Sequence, residues 1–151
     1  MQTSQKGLAL IKEEEGFSSK AYPDVAGFKT IGWGHKVGPT DNFPVYGITE
    51  AQAETVLHED LSHVEWFINH YLSEINATVN QDQFDALVDF AFNLGVGALH
   101  KLLSHGINNV KYQILRWDHA SGKELISLKD RRQKELALWN TPSVEDVTES
   151  V

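Results

Sequence analysis

Residues 15–35 read EGFSSKAYPDVAGFKTIGWGH, and this stretch marks a change of backbone. Upstream of it, Leu8, Ile11 and position 15 fall at i, i+3 and i+7, one stripe of a short helix that Gly16 ends. Tyr22 to Phe28 is dense in turn residues, with Pro23, Asp24 and Gly27 in seven positions. From Lys29 to His35, β-branched and aromatic residues alternate with glycine, which predicts a small hairpin or sheet. Downstream of His35 the chain takes up helical period. The expected class is therefore α+β: predominantly helical, with a small N-terminal antiparallel β-sheet or hairpin lobe.

Two helix starts are written locally. Thr49 with Gln52 three residues on forms a capping box, and Ile48 before the cap can staple onto Ala53. Val56, Leu57, Leu61, Val64, Ile68 and Tyr71 then keep helical period to about residue 72. Asn80 with Gln83 opens a second helix running to Gly95, apolar on most of its circumference and so expected at the centre of the core. Shorter helices are expected over 99–105, 109–117 and 128–139, with Gly106 and Gly122 as breaks. No repeat or low-complexity linker divides the chain. Residues 1–142 are expected to form a single domain, followed by a loosely held acidic tail over 143–151 with three acidic residues and no basic one.

A chain of 151 residues, 41 % hydrophobic, buries enough surface for a real core without a staple. With no cysteine, disulfide frameworks, thiol nucleophiles and zinc–thiolate sites are excluded. The net charge of −8 argues against nucleic-acid or anionic-membrane partners. The apolar run Leu8 to Ile11 is too short for a signal peptide or a membrane helix, so a protein soluble where it is made, without stable membrane insertion, is expected. The only local positive excess runs from Lys123 to Lys134.

Several residues carry chemistry in this pattern. Glu13, Glu14 and Glu15 read first as a solvated helix end. At about 100° per residue, however, Glu15 lies about 20° from Leu8 on the stripe that faces the core. Glu14, between Leu10 and Ile11, is almost as well placed, and geometry prefers Glu15 only weakly. A carboxyl against apolar neighbours has its ionised form disfavoured, which suits a general acid. Asp24 reads either as turn chemistry or as a second carboxylate in a more polar setting, and such a pair is what glycoside hydrolysis uses. Thr30 offers a hydroxyl that can hold a water, although threonine is also an ordinary strand residue. His35 reads as a structural histidine rather than a base. His58 and His63, five apart, stand about 140° apart on a helix and cannot share a metal, so no metal site is expected. Trp33, Trp66, Trp117 and Trp139 read as core before sugar platforms.

The spacing Glu15, eight residues, Asp24, five residues, Thr30, with the run Thr30-Ile31-Gly32-Trp33-Gly34-His35, resembles the catalytic signature of the phage-type lysozymes, glycoside hydrolase family 24. Ile48 to Ala53, Asp60-Leu61, Gln83 to Leu87 and Phe92-Asn93-Leu94-Gly95 continue the resemblance in order, over about residues 7 to 139. It implies a lysozyme-like fold whose β lobe flanks an active-site cleft. It singles out Glu15, the glutamate directly before the glycine, as general acid, with Asp24 as second carboxylate and Thr30 positioning water. It further implies that Asn93 faces the cleft, that Arg131 of the Arg131-Arg132 pair approaches Glu15, and that Asn93, Arg131 and His35 serve substrate binding. The chain departs from the family in a shorter Gly97–Trp117 segment, in Ser127-Leu128 where Gly-Leu is usual, and in Asp130 at a commonly basic position.

The resemblance implies an endolysin-type muramidase cutting the β-1,4 N-acetylmuramic acid–N-acetylglucosamine bond of peptidoglycan, acting as a monomer on glycan strands, with inversion the outcome in the T-even relatives and the separation of the two carboxyls deciding it here. Two carboxylates and water suffice for that reaction, and no cofactor is expected. Such a lysin would collect in the host cytoplasm and reach the wall through a holin-type pore. The alternatives are the same chemistry on chitin-like polymers, or a non-catalytic glycan-binding module on a lysozyme fold. The acidic balance fits an anionic wall poorly, and predicts that activity rises with salt up to about 0.15 M, where screening reaches about 8 Å.

Overall fold

Helix α1, Gln5–Glu15, opens on Ser4, whose hydroxyl accepts from the Gly7 N–H, and closes on Gly16, whose N–H bonds the Lys12 carbonyl. Gly16 has φ 67°, a left-handed conformation that glycine adopts at no steric cost. Leu8 and Ile11 are buried, as the stripe requires. The computed structural model describes residues 1–24, 27–120 and 122–142, and the acidic tail expected over 143–151 lies outside them.

After α1 the chain enters a three-stranded antiparallel sheet in the order β1 (Ser18–Pro23), β2 (Lys29–Gly32), β3 (His35–Lys36). Tyr22 pairs with Thr30 and Pro23 with Lys29, while Ile31 pairs with His35. The stretch expected to begin as a turn at Tyr22 is thus still strand there. β1 is exposed along most of its length, so it lacks the apolar alternation that marks a strand in sequence. Gly32 sits where β2 meets the next helix. A Cβ there would lie 3.2 Å from the Ala53 Cβ, tighter than side chains normally approach.

Helix α2, Glu50–Glu74, carries both halves of the Thr49/Gln52 capping box. Ile48 and Ala53 on either side of the cap are both buried. At about 1.5 Å per residue its 25 residues span about 37 Å, enough to run from the sheet to the helical lobe. Helix α3, Gln81–Leu94, carries the Asn80/Gln83 box and is buried without a break from Phe84 to Ala91, which makes it the central helix.

Gly95, at φ 95°, ends α3 and immediately caps α4, Val96–Leu103, so α4 starts three residues earlier than the sequence suggested. The helix expected over 109–117 is split into short helical turns, with one α-turn at α5, Val110–Gln113. A two-residue hairpin, β4 (His119–Ala120) with β5 (Lys123–Glu124), stands where only a break was expected. Helix α6, Ile126–Trp139, then packs along α3. Trp33 and Trp139 are core residues, the half-buried Trp117 stands edge-on to Phe90, and Trp66 is exposed.

Candidate active site

The three consecutive glutamates at the end of α1 divide their work, and α6 decides how. Lys134, on the surface, bonds Glu14 at 2.7 Å and Glu13 at 3.2 Å. Arg131, one turn earlier on α6, donates from Nη1 to Glu15 Oε1 at 2.9 Å. Arg131 is almost wholly buried, and the Glu15 side chain keeps about a fifth of its surface exposed. Its second oxygen lies against the backbone of the β2–β3 turn. A Cβ on residue 34 would fall 2.6 Å from Glu15 Oε2 and push the carboxyl aside, and Gly34 has φ 72°, a backbone conformation that favours glycine. Glu15 therefore stands where the helical lobe meets the sheet, its carboxyl held on one side by a charge and on the other by packing.

Behind Arg131 lies a dry cluster. Asp89, on the central helix, accepts from Arg131 Nε at 3.0 Å and Nη2 at 2.8 Å, the two-pronged geometry that a guanidinium and a carboxylate share. Burial pushes the Asp89 carboxyl up, but hydrogen bonds from Glu135 and Arg131 outweigh it and hold it below the usual range. Burial pushes Glu135 well above that range, and its contact with Asp89 adds to the rise against the pull of Arg132. Arg131, where burial opposes the charge, is kept permanently ionised by Asp89 and then Glu15. Arg132, fully buried, donates from Nη2 to Asn93 Oδ1 at 2.8 Å and to Glu135 Oε2 at 2.9 Å, and its guanidinium lies 5.1 Å over the Phe90 ring.

The basic pair is thus no solvated helix face. Arg131, not Arg132, is the neighbour of Glu15. The guanidinium of Arg131 is taken up by Asp89 and Glu15. The amide oxygen of Asn93, expected to face the cleft, accepts from Arg132.

On the sheet side the setting is wetter. Asp24 follows β1 directly and organises the hairpin end. Its N–H donates to the Phe28 carbonyl at 2.7 Å, and its Oδ1 accepts from the Phe28 N–H at 3.0 Å. Thr30, paired with Tyr22 across the strands, is buried at 6 % exposure, unlike the exposed Lys29 before it. His35, expected also as a substrate contact, has both ring nitrogens engaged: Nδ1 with Asp60 of α2 at 2.7 Å, Nε2 with Asp41 of the following loop at 2.9 Å. Partial burial would lower its pKa, but the bonds to Asp41 and Asp60 raise it above 6.5. It clamps the sheet to α2, which leaves neither nitrogen for a ligand. Among the described residues no cluster of histidine and carboxylate side chains could hold a metal ion.

Asp89 and Glu135 are the members of this site that sequence reasoning missed. Their signal was present: an aspartate amid the apolar run of α3, and a glutamate three residues after an arginine. Each has a bland surface reading unless the opposite helix is known.

Residues 12–135 match the model of the phage lysozyme family. The endolysin of Bacillus phage PZA is 38 % identical over 98 % of this chain, which spans 58 % of that relative's length. The endolysin of Salmonella phage P22 is 37 % identical over 92 % of this chain and 98 % of its own. The solved endolysin from Escherichia coli O157:H7 phage FAHEc1 superposes with a TM-score of 0.76 at 29 % identity, covering 95 % of this chain and 98 % of that one.

Proposed function

The chain belongs to the phage lysozyme family, and from that premise we propose that it is an endolysin-type muramidase in which Glu15 is the general acid. The observation that carries this reading is the Glu15 carboxyl itself, fixed between Arg131 and Gly34 at the junction of helix and sheet. An acid catalyst needs a carboxyl of defined direction within reach of the bond it protonates. In this reading Glu15 gives its proton to the glycosidic oxygen between N-acetylmuramic acid and N-acetylglucosamine. Asp24 and the Thr30 hydroxyl hold and activate the water that attacks the anomeric carbon, and the bond breaks with inversion.

Glycan strands of peptidoglycan are the proposed substrate, and the bacterial wall, reached through a membrane pore made by another protein, the proposed place of action. A monomer suffices, since every residue given a part lies on one chain. The dry cluster supports the reading from the other side: ion pairs buried at this depth give little net stability, so orientation of Glu15 is the use the geometry favours.

Digestion of purified peptidoglycan, with mass analysis of the fragments, tests this. Wild-type protein is expected to release fragments with new reducing ends at N-acetylmuramic acid, and Glu15→Gln to lose activity by at least about 10³-fold. Equal rates for the two would sink the assignment of Glu15. Binding of glycan without new reducing ends would instead indicate a non-catalytic module.

A further inference from the structure

The segment after β3, residues 37–47, is pinned to the sheet at both ends. At its start the Val37 N–H donates to the Lys29 carbonyl at 2.9 Å, and just past its end the Ile48 N–H donates to the Ser19 carbonyl at 2.8 Å. Gly47 comes so close to β1 that a Cβ there would stand 2.7 Å from the Ser19 carbonyl oxygen. The segment therefore arches from β2 back to β1, and beside it lies a cavity of about 370 Å³, a size that suits a small ligand or a short piece of peptide. Lys20 of β1, Lys29 and Ile31 of β2, and Val37 and Phe43 of the arch line it. Successive strand residues point to opposite faces. Lys29 and Ile31 thus put the cavity on the reverse of β2 from Thr30, one strand layer away from the proposed water site.

The lining joins two chemistries. Ile31, Val37 and Phe43 make an apolar wall, while Lys20 and Lys29 bring two ammonium groups, neither of which takes part in an ion pair among the described residues. The carboxylate in the lining, Asp41, is already engaged: its Oδ2 accepts from the Gly38 N–H at 2.7 Å and bonds His35 Nε2 at 2.9 Å. In a chain of net charge −8, two unpaired cations beside an apolar wall select a ligand that carries carboxylates and small apolar groups together. A phosphate polymer would leave the apolar wall uncovered; an acidic peptide covers both.

We propose that this cavity is a subsite for an acidic peptide, the stem that branches from the muramic acid of peptidoglycan. Its free carboxylates meet Lys20 and Lys29, and the methyl groups of its alanines meet Ile31, Val37 and Phe43. The choice of this peptide rests on the reading of the chain as a muramidase. A stem of about four residues, extended at about 3.4 Å each, spans about 14 Å, more than the roughly 10 Å depth of one sheet layer. One substrate molecule can therefore engage both faces of the β lobe. The cavity lies on the reverse face from Thr30, so its occupation lowers KM for stem-bearing glycan and leaves kcat unchanged.

The test uses the whole chain in two measurements. First, a synthetic stem tetrapeptide is titrated into isotope-labelled protein and followed by NMR. Amide shifts are expected at Lys20, Lys29, Val37 and Phe43, and are expected to vanish in the double variant Lys20→Gln, Lys29→Gln. Shifts only elsewhere, or equal binding of the same peptide with its carboxylates amidated, would overturn the proposal. Second, kcat and KM are compared on glycan oligomers with and without stems. The double glutamine variant should raise KM about 5- to 10-fold on the stem-bearing oligomer, the effect of losing two partly exposed ion pairs. Its kcat and its KM on the stem-free oligomer should match wild type, and Lys20→Arg with Lys29→Arg should restore the lower KM. An unchanged KM on the stem-bearing oligomer, or an equal rise on both oligomers, refutes a peptide subsite. If the wild-type chain cleaves neither oligomer, the muramidase reading fails, and the titration alone decides whether the cavity takes an acidic peptide.

Discussion

Two ionic clamps hold this molecule's site together, and they are built on opposite terms. Around Arg131, every partner except Glu15 is sealed from water, and the carboxyls of Asp89 and Glu135 are driven apart in proton affinity by burial and by each other. Around His35, the partners are partly wet: the Asp60 and Asp41 side chains keep 25 % and 31 % of their surface. The difference teaches where each is used. A permanently charged guanidinium in a dry setting fixes a direction and holds it at any ordinary pH. A histidine between two half-exposed aspartates is strong only while it is protonated.

The sharpest way to break this contrast is Arg131→Met. It takes from buried Asp89 the guanidinium that bonds it, and should cost about 3–5 kcal/mol in urea unfolding, along with the loss of catalysis. A cost no larger than that of a His35 variant would show that the dry clamp is not the stronger one. Next is Gly34→Ala, which drives a methyl into the Glu15 carboxyl at a left-handed backbone position. It should cost about 1–3 kcal/mol, and lower kcat about 100-fold by displacing the proposed acid.

His35→Asn should cost about 1–2 kcal/mol at pH 6, and the loss should be pH-dependent. Because the folded state raises the His35 pKa, the clamp contributes fully below the unfolded value of about 6.5 and fades as pH rises through the higher folded value. Urea unfolding of both proteins from pH 6 to 8.5 should show the gap closing; a constant gap would mean that the charge of His35 is irrelevant. The smallest effect belongs to Lys134→Ala. Its bonds to Glu13 and Glu14 lie at a surface where 45 % of the lysine side chain is exposed, and such pairs contribute less than about 0.5 kcal/mol. A larger loss of thermal stability would place α6's grip on α1 at the surface rather than at Arg131.

Range along the chain decides which features are legible in sequence. The capping boxes at Thr49 and Asn80 lie within four residues of sequence, and both are found where expected. The glycine-rich turn after Thr30 was legible as a hairpin for the same reason. β1 was not, because an exposed strand carries no apolar alternation, nor was the start of α4, because Gly95 serves two helices at once. In the site, the Glu15 stripe and the arginine pair were visible. The choice among three glutamates needed the family pattern, and the cluster that holds Glu15 needed α3 and α6 side by side. Asp89 and Arg131 are 42 positions apart, and no periodicity within either helix announces the other.

The bond from Arg131 to Glu15 spans 116 positions, linking the first helix to the last one described. A chain leaves the ribosome from its N-terminus and its early segments begin to fold as they emerge. Glu15, Asp24 and Thr30 all precede Arg131, the arm that aims Glu15, by about a hundred positions or more. A chain cut before Arg131 would carry the groups proposed to react and lack the one that aims Glu15. In a protein proposed to break down a bacterial wall, the proposed acid is thus directed only once the last helix described has been made.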